Sequence, residues 1–148
     1  CLVFFDAESN GGLPGWEPHV GSRYFLERLN DVPRCLNPRM AVIVDLVGNA
    51  NQQIFIEQTS DPAISTAIWQ VASQEGYGNR FRNEARWAMP SAHTVFQAAG
   101  IRAAVVADFD YPHRFTLEDT LDKLNEQSFT AVGRTLEIWL ESGAPIGE

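Results

Sequence analysis

Carboxylates follow three of the apolar runs in this sequence. Asp6 and Glu8 follow residues 2–5, Asp45 follows residues 40–44, and Asp108 and Asp110 follow residues 101–107. If these runs are parallel strands, the carboxylates meet at one sheet edge, where open α/β sheets bind their ligands. Clustered negative charge is costly unless a cation offsets it, so the pattern, with His113 nearby, indicates a divalent metal site. The same residues also suit turns and helix caps, and the pattern alone leaves both interpretations open.

The apolar runs and their spacing predict an α/β fold. β-branched and aromatic runs predict strands at residues 2–6, 40–45, 53–58 and 101–107, and helical spacing predicts helices at residues 16–29, 61–75, 91–99, 116–124 and 127–142. This alternation implies a three-layer α/β/α sandwich around a mostly parallel, mixed central sheet. Residues 1–148 are predicted to form a single domain. Because a core strand starts at residue 2 without a preceding Met, we expect a larger domain of which this is the C-terminal part.

Two stretches are of special interest in this predicted fold. Residues 2–5 are predicted to be a central strand covered on both faces, because their apolar run is continuous, and the turn-forming residues 6–15 follow at the ligand edge. Residues 77–90 are predicted to be an irregular excursion. Its Trp87, together with Phe109 and Tyr111, would line a small-molecule pocket, or these aromatics would pack loops onto the core.

Composition and charge exclude several classes of function. The net charge of −8 and the dispersed 11 Lys and Arg residues argue against a nucleic-acid partner. No apolar run approaches the roughly 20 residues that span a bilayer, and the start lacks a signal-peptide pattern. Cys1 and Cys35 can form at most one bridge, and they build no thiolate metal or redox motif.

Four segments, in order, carry a family resemblance. They are LVFFDAESNG, VIVDLVGN, SAHTVFQAAGIRAAVV and YPHRFTLEDTLDKLN, which begin at residues 2, 42, 91 and 111. Taken together they resemble the M28 metallopeptidases and the glutaminyl cyclases that share their zinc-peptidase fold. The resemblance implies that Glu8 occupies the position of the general base, which takes a proton from metal-bound water. It implies that Asp45 binds zinc in the peptidases or orients the substrate amine in the cyclases, and that His93 is the site histidine of the third segment.

Three positions depart from the pattern that the resemblance implies. Ser9 stands where the family has a carboxylate ligand, Ala92 where it has the Asp before the histidine, and Phe115 where it has the last His ligand. A serine hydroxyl is a poor zinc ligand, and Ala and Phe offer no donor atom. The family's remaining His and Asp ligands lie upstream of this sequence, so Asp45 is left as the metal ligand. His113, two residues before the expected ligand, would replace it only through a local shift.

The resulting hypothesis is an M28-like domain that has lost zinc catalysis and serves as a binding or scaffolding subunit. We expect no cofactor in this chain, a partner that is a protein or the missing N-terminal segment, and a peptide or small molecule as a further ligand class. One alternative is an active zinc aminopeptidase or glutaminyl cyclase that takes ligands from the missing segment. A second is a small-molecule binding module in the old substrate pocket. The family alone points to export from the cytoplasm. Glu8, Asp45, His93 and Asp108 are predicted to converge on one sheet edge.

Overall fold

The computed structural model describes residues 1–9 and 13–146. Asn10, Gly11 and Gly12, which belong to the predicted turn at 6–15, and the last two residues of the predicted domain lie outside the described residues. The elements are α1 (Val20–Glu27), β1 (Met40–Asp45), β2 (Ile54–Glu57), α2 (Pro62–Gln74), β3 (Phe81–Trp87), α3 (Ala92–Ala98), β4 (Arg102–Ala107) and α4 (Glu126–Glu141). Short 3-10 turns lie at Leu29–Asp31, Pro33–Cys35 and Leu121–Lys123.

The strands form two parallel pairs, β1 with β4 and β2 with β3. The pairs lie side by side through β2 and β4. The backbone N–H of Gln53, just before β2, donates to Asp108 at the end of β4, while the N–H of Asp61, beyond β2, donates to the carbonyl of Ala103 near the start of β4. β2 therefore runs antiparallel to β4, which makes the arrangement of strands mixed.

Helices cover both faces of these strands. β4 is buried along its length from Ala103 to Ala107. Ala104 and Val106 belong to the main core cluster, in which Ile64 and Ile68 of α2 and Val132 and Trp139 of α4 also pack. On the other face α3 contacts β1 and β4, and α1 packs on α3. The predicted α/β fold is thus confirmed.

The helix caps explain where α2 and α4 begin. The Asp61 carboxylate accepts hydrogen bonds from the N–H groups of Ala63 and Ile64, and Pro62 occupies the first helical position, where no N–H is needed. At α4 the Asn125 side chain accepts from the N–H of Ser128. These helices match the predictions at 61–75 and 127–142 to within one residue at each end.

The prediction of a central strand at residues 2–6 is wrong. Residues 1–5 carry no strand, although all of them are described. Leu2 and Phe4 are 83% and 89% exposed, whereas Phe5 packs its ring against Phe25 and Phe96, at centroid distances of 5.5 and 6.1 Å. An apolar run becomes a strand only when a neighbouring backbone pairs with it, and the described residues supply none.

Three other predictions need correction. Residues 116–124 form only the 3-10 turn Leu121–Lys123, because Leu117 and Leu121 are 100% and 85% exposed and no apolar face is buried to stabilise a short helix. The stretch 77–90, predicted to be irregular, contains β3, which pairs with β2. Its charged residues interrupt the apolar pattern from which a strand is predicted. The helix predicted at 16–29 is shorter and starts at Val20.

Cys1 and Cys35 form a disulfide, which ties the N-terminal segment to the loop before β1. The described helices include none that is long and apolar enough to cross a membrane.

Candidate functional site

Asp45 and Asp108 lie at the same edge of the β1–β4 pair. The register places Asp45 beside Ala107, the last residue of β4, so Asp108 follows directly. Asp45 is exposed and accepts a hydrogen bond from the N–H of Leu46 at 2.8 Å. Asp108 is only 3% exposed and accepts from Nδ2 of Asn49 at 2.7 Å and from two backbone N–H groups. The buried carboxylate thus organises the surrounding loops, whereas Asp45 is open to solvent.

Glu8 is bound to the first turn of α1. Oε1 accepts from the N–H of Ser22 at 2.6 Å, and Oε2 lies 3.1 Å from Oγ of Ser22 and 3.2 Å from Nδ1 of His19. A carboxylate is favoured there because the first N–H groups of a helix lack intrahelical partners and carry partial positive charge. The backbone also comes close, since a Cβ on Gly21 would lie 2.1 Å from the carbonyl oxygen of Asp6. Glu8 therefore anchors α1 to the N-terminal segment.

His93 lies in a buried cluster centred on Glu57. Nε2 of His93 is 3.1 Å from Oε2 of Glu57 and 2.9 Å from Oγ1 of Thr59, and the side chains of His93 and Glu57 are fully buried. The Glu57 carboxylate also accepts from the N–H groups of Thr59 and Met89 and from Oγ of Ser60. One carboxylate thus joins the end of β2, the segment after β3 and the first turn of α3.

The surroundings of His93 disfavour protonation of its imidazole. Burial lowers the pKa of His93 below its usual 6.5, the Glu57 carboxylate opposes that shift, and the charge of a protonated His19 adds to the lowering. Nδ1 of His93 is buried and has no hydrogen-bond partner among the described residues. A proton on Nδ1 would therefore be unsatisfied, and the contacts with Glu57 and Thr59 favour the tautomer protonated on Nε2.

The positions that depart from the family pattern hold neither a carboxylate nor an imidazole. Ser9 is exposed, Ala92 is buried at the start of α3, and Phe115 is 81% exposed. His113 is not directed to a carboxylate of the sheet edge, because its Nδ1 lies 3.1 Å from Oε2 of Glu118. Across residues 1–9 and 13–146, no group of three or more His, Cys, Asp or Glu side chains is arranged to hold a metal ion. The residues present do not fit a zinc site on their own.

A cavity of about 320 Å³ opens beside Asp108. Its walls include Asn49, Asp110, Tyr111 and His113. The hydroxyl of Tyr111 donates to Asp119 at 2.7 Å, and this hydrogen bond raises the pKa of Tyr111 to about 12. Tyr111 thus lines this cavity.

The other two predicted pocket aromatics do not line this cavity. Trp87 is covered by the guanidinium of Arg86, which lies 5.1 Å from its ring centroid and 4.7 Å from that of Phe55. Arg86 also pairs with Asp110 at 3.1 Å. The predicted aromatic pocket of Trp87, Phe109 and Tyr111 is therefore not assembled as a single surface.

The four side chains that were predicted to converge have different hydrogen-bond partners in the structure. Asp45 and Asp108 share an edge, whereas Glu8 binds α1 and His93 binds Glu57. The partners Glu57, His19 and Ser22 were missed by the sequence analysis. The acidic residue at the end of the apolar run of residues 54–56 is the feature that could have identified Glu57 as a buried, paired carboxylate.

Comparisons with known proteins identify relatives of this arrangement. The family model described as Peptidase family M28 matches residues 1–139. A glutaminyl cyclase from Porphyromonas gingivalis is 25% identical, with a TM-score of 0.79 over 95% of this chain and 54% of that one. A glutaminyl cyclase from Fimbriiglobus ruber is 28% identical, with a TM-score of 0.75 over 91% of this chain and 50% of that one. No curated protein matches in sequence.

The fold is shared with an exopeptidase as well. A leucine aminopeptidase precursor from Bacteroides thetaiotaomicron has a TM-score of 0.75 at 24% identity, over 90% of this chain and 49% of that one, a likeness that concerns the fold alone. The chain thus spans about half the length of the solved structures it resembles.

Proposed function

The chain belongs to peptidase family M28, and we propose that it is a non-catalytic member that acts by binding a protein partner. The proposal assigns it the role of a scaffolding subunit that keeps the fold of a zinc enzyme without zinc chemistry. A stable catalytic zinc site takes three protein ligands and an open position. Of the positions where the resemblance implies a metal ligand, Asp45 alone carries a carboxylate or an imidazole.

The observation that carries the proposal is that the Glu8 carboxylate is hydrogen-bonded to residues of α1 and its cap. A general base must be free to take a proton from a bound water. Both oxygens of this carboxylate are instead used by α1, through Ser22 and His19. Releasing Glu8 would leave the N–H of Ser22, in the first turn of α1, without its partner, so the fold opposes a catalytic role for Glu8.

Ala92 and Phe115, which have no side-chain atom that could bind a metal, support the same proposal. Ala92 lies 4% exposed in the first turn of α3, where a carboxylate would need hydrogen-bond partners to be buried. Phe115 is directed to solvent and has φ of 62°. A large apolar side chain that is exposed in this way neither holds a metal nor fills the core.

Two alternatives have specific observations in their favour. An active zinc aminopeptidase or glutaminyl cyclase is favoured by the similar structures, whose additional length would supply the missing ligands. A small-molecule binding module is favoured by the cavity beside Asp108 and Tyr111. The hydrogen bonds that hold Glu8 against α1 make the non-catalytic assignment the better one.

The test is metal content and turnover of the purified protein, prepared together with any sequence that precedes these residues. After dialysis at neutral pH, we expect elemental analysis to find far less than one zinc per chain, and no hydrolysis of aminoacyl substrates or cyclisation of N-terminal glutamine. Asp45→Asn should change neither result, because Asp45 has no metal to hold. About one zinc per chain, or turnover that a chelator and Asp45→Asn both abolish, would overturn the proposal in favour of the enzyme.

A further inference from the structure

The disulfide between Cys1 and Cys35 closes the N-terminal part of the chain into a loop. The Cα atoms of the two cysteines lie 5.4 Å apart, within the usual range for a disulfide. This closed loop, residues 1–35, contains α1 together with its anchor, because Glu8 accepts hydrogen bonds from the N–H and Oγ of Ser22. The bond therefore encloses the carboxylate whose contacts carry the proposed function.

The closed loop lies outside the main hydrophobic core. Among the described residues, the members of that core cluster and the side chains packed against it all lie at or beyond Met40. The closed loop instead packs on α3, where Phe5 and Phe25 contact Phe96 at centroid distances of 6.1 and 6.3 Å. Proteins open locally where a segment has few contacts with the core. The closed loop can therefore open while the core stays folded.

Cys35 attaches one end of the bond to the folded body of the protein. It is 8% exposed and ends the 3-10 turn Pro33–Cys35, which leads into β1. A cross-link favours the ordered state of a loop because it removes conformations from the opened chain, and this effect grows with the length of the loop. The bond should therefore shift the equilibrium between the opened and the ordered form of residues 1–35 by roughly tenfold or more towards the ordered form.

We propose that the Cys1–Cys35 bond is a redox-dependent latch, which holds Glu8 against α1 when it is formed and lets residues 1–35 open when it is reduced. The inference goes beyond the proposed function, because it concerns when Glu8 is anchored and requires no partner.

Thiol–disulfide exchange with a disulfide-containing oxidant closes the latch. One cysteine thiolate attacks the disulfide of the oxidant, and the other displaces the oxidant from the mixed disulfide. The two cysteines lose two electrons and two protons, and the oxidant leaves as a dithiol that carries them. Oxidants of this class act outside the reducing cytosol, so the latch would close there.

Amide hydrogen exchange of the protein, prepared together with any sequence that precedes these residues, tests the latch. Samples are compared before and after treatment with dithiothreitol, and peptide mapping with a thiol label verifies the state of both cysteines. We expect reduction to speed the exchange of Val20–Glu27 at least roughly tenfold and to leave that of Arg102–Ala107 unchanged. Glutathione disulfide should restore the slow exchange.

Cys35→Ser removes the latch without a reductant. Its α1 should exchange as fast as α1 of the reduced parent, and dithiothreitol should change nothing further, which controls for effects of the reductant elsewhere. Circular dichroism checks that the variant and the reduced parent keep their secondary structure.

Three results would overturn the proposal. The first is exchange of α1 that is equally slow in the oxidised, reduced and Cys35→Ser proteins. The second is loss of protection in β4 together with α1, because the bond would then support the whole fold and not one loop. The third is a protein in which glutathione disulfide does not form the bond. Zinc content of the oxidised sample tests the proposed function separately.

Discussion

Nε2 of His93 lies 3.1 Å from Oε2 of Glu57, and neither side chain is accessible to solvent. This pair links α3 to the end of β2. The same carboxylate also binds the N–H of Met89, which leads into α3. A buried carboxylate is tolerated only when hydrogen-bond donors replace its hydration, and here backbone, hydroxyl and imidazole donors do so together.

The first prediction concerns this carboxylate. Glu57→Gln should lower the free energy of unfolding by about 2–4 kcal/mol, because the amide has one acceptor oxygen and cannot serve all the buried donors. Chemical denaturation monitored by circular dichroism measures the change. Glu84→Gln is the matched control: Glu84 is exposed on β3, and its change should stay within about 0.5 kcal/mol. Equal effects of the two variants would mean that Glu57 is not the organising group.

The second prediction concerns the pH dependence of stability. Burial lowers the pKa of His93 in the folded state, so between that pKa and the unfolded value near 6.5 the unfolded chain binds more protons. The contribution of His93 to the free energy of unfolding is therefore complete above pH 6.5. It is lost as the pH falls through the lower pKa that His93 has in the folded state. Within that window the free energy of unfolding should fall by up to about 1.4 kcal/mol per pH unit from this residue.

Denaturation curves of the parent, His93→Gln and His113→Gln at a series of pH values below neutrality measure this dependence. His93→Gln should flatten the slope, whatever its effect on absolute stability. His113→Gln removes a histidine from a partly exposed site and should leave most of the slope intact. An unchanged slope in His93→Gln would assign the pH dependence to other groups.

The third prediction compares two helical glycines. Replacing an exposed helical glycine by alanine ordinarily stabilises a protein by roughly 0.5–1 kcal/mol. Gly133→Ala in α4 should do so, because its Cβ would meet nothing within 4 Å. Gly21→Ala should destabilise instead, because its Cβ would meet the carbonyl oxygen of Asp6 at 2.1 Å and Oε1 of Glu8 at 3.0 Å. Thermal unfolding of both variants checks the difference in sign, and stabilisation by Gly21→Ala would argue against the contact of α1 with Glu8.

The sequence predicted best those elements whose local signals, such as a helix cap, and whose buried apolar face indicate the same structure. α2 has its own cap at Asp61 and an apolar face that packs in the core, so its limits could be read from the residues. β4 is buried on both faces, as its continuous apolar run predicts. Residues 2–5 have the same kind of run, but pairing depends on a neighbouring backbone, which no local pattern reveals.

The candidate site was less predictable because its side chains are shared among distant segments. Glu8 and Ser22 are 14 residues apart, and Glu57 and His93 are 36 apart (93 − 57). The position of Glu8 after an apolar run fits both a general base and a helix anchor. Only the placement of α1 beside it distinguishes the two roles.

The last prediction tests whether the three departed positions are former ligand positions. If Ser9, Ala92 and Phe115 surround one site, the triple variant Ser9→Glu, Ala92→Asp and Phe115→His should bind zinc at least roughly tenfold more tightly than the parent. Competition with a chromophoric chelator measures the affinity. Each single variant should change it little, since zinc affinity depends on several ligands acting together.

The matched control for the triple variant is Ser9→Gln, Ala92→Asn and Phe115→Asn, which places polar side chains at the same positions without carboxylates or imidazole. Phe115→His carries little risk for the fold because Phe115 is 81% exposed, whereas Ala92→Asp buries a charge in the first turn of α3. The thermal stability of both triple variants is therefore measured first. A folded triple variant that binds zinc no better than its control would show that the three positions do not converge, and the alignment with the metal-binding pattern would then have to be abandoned.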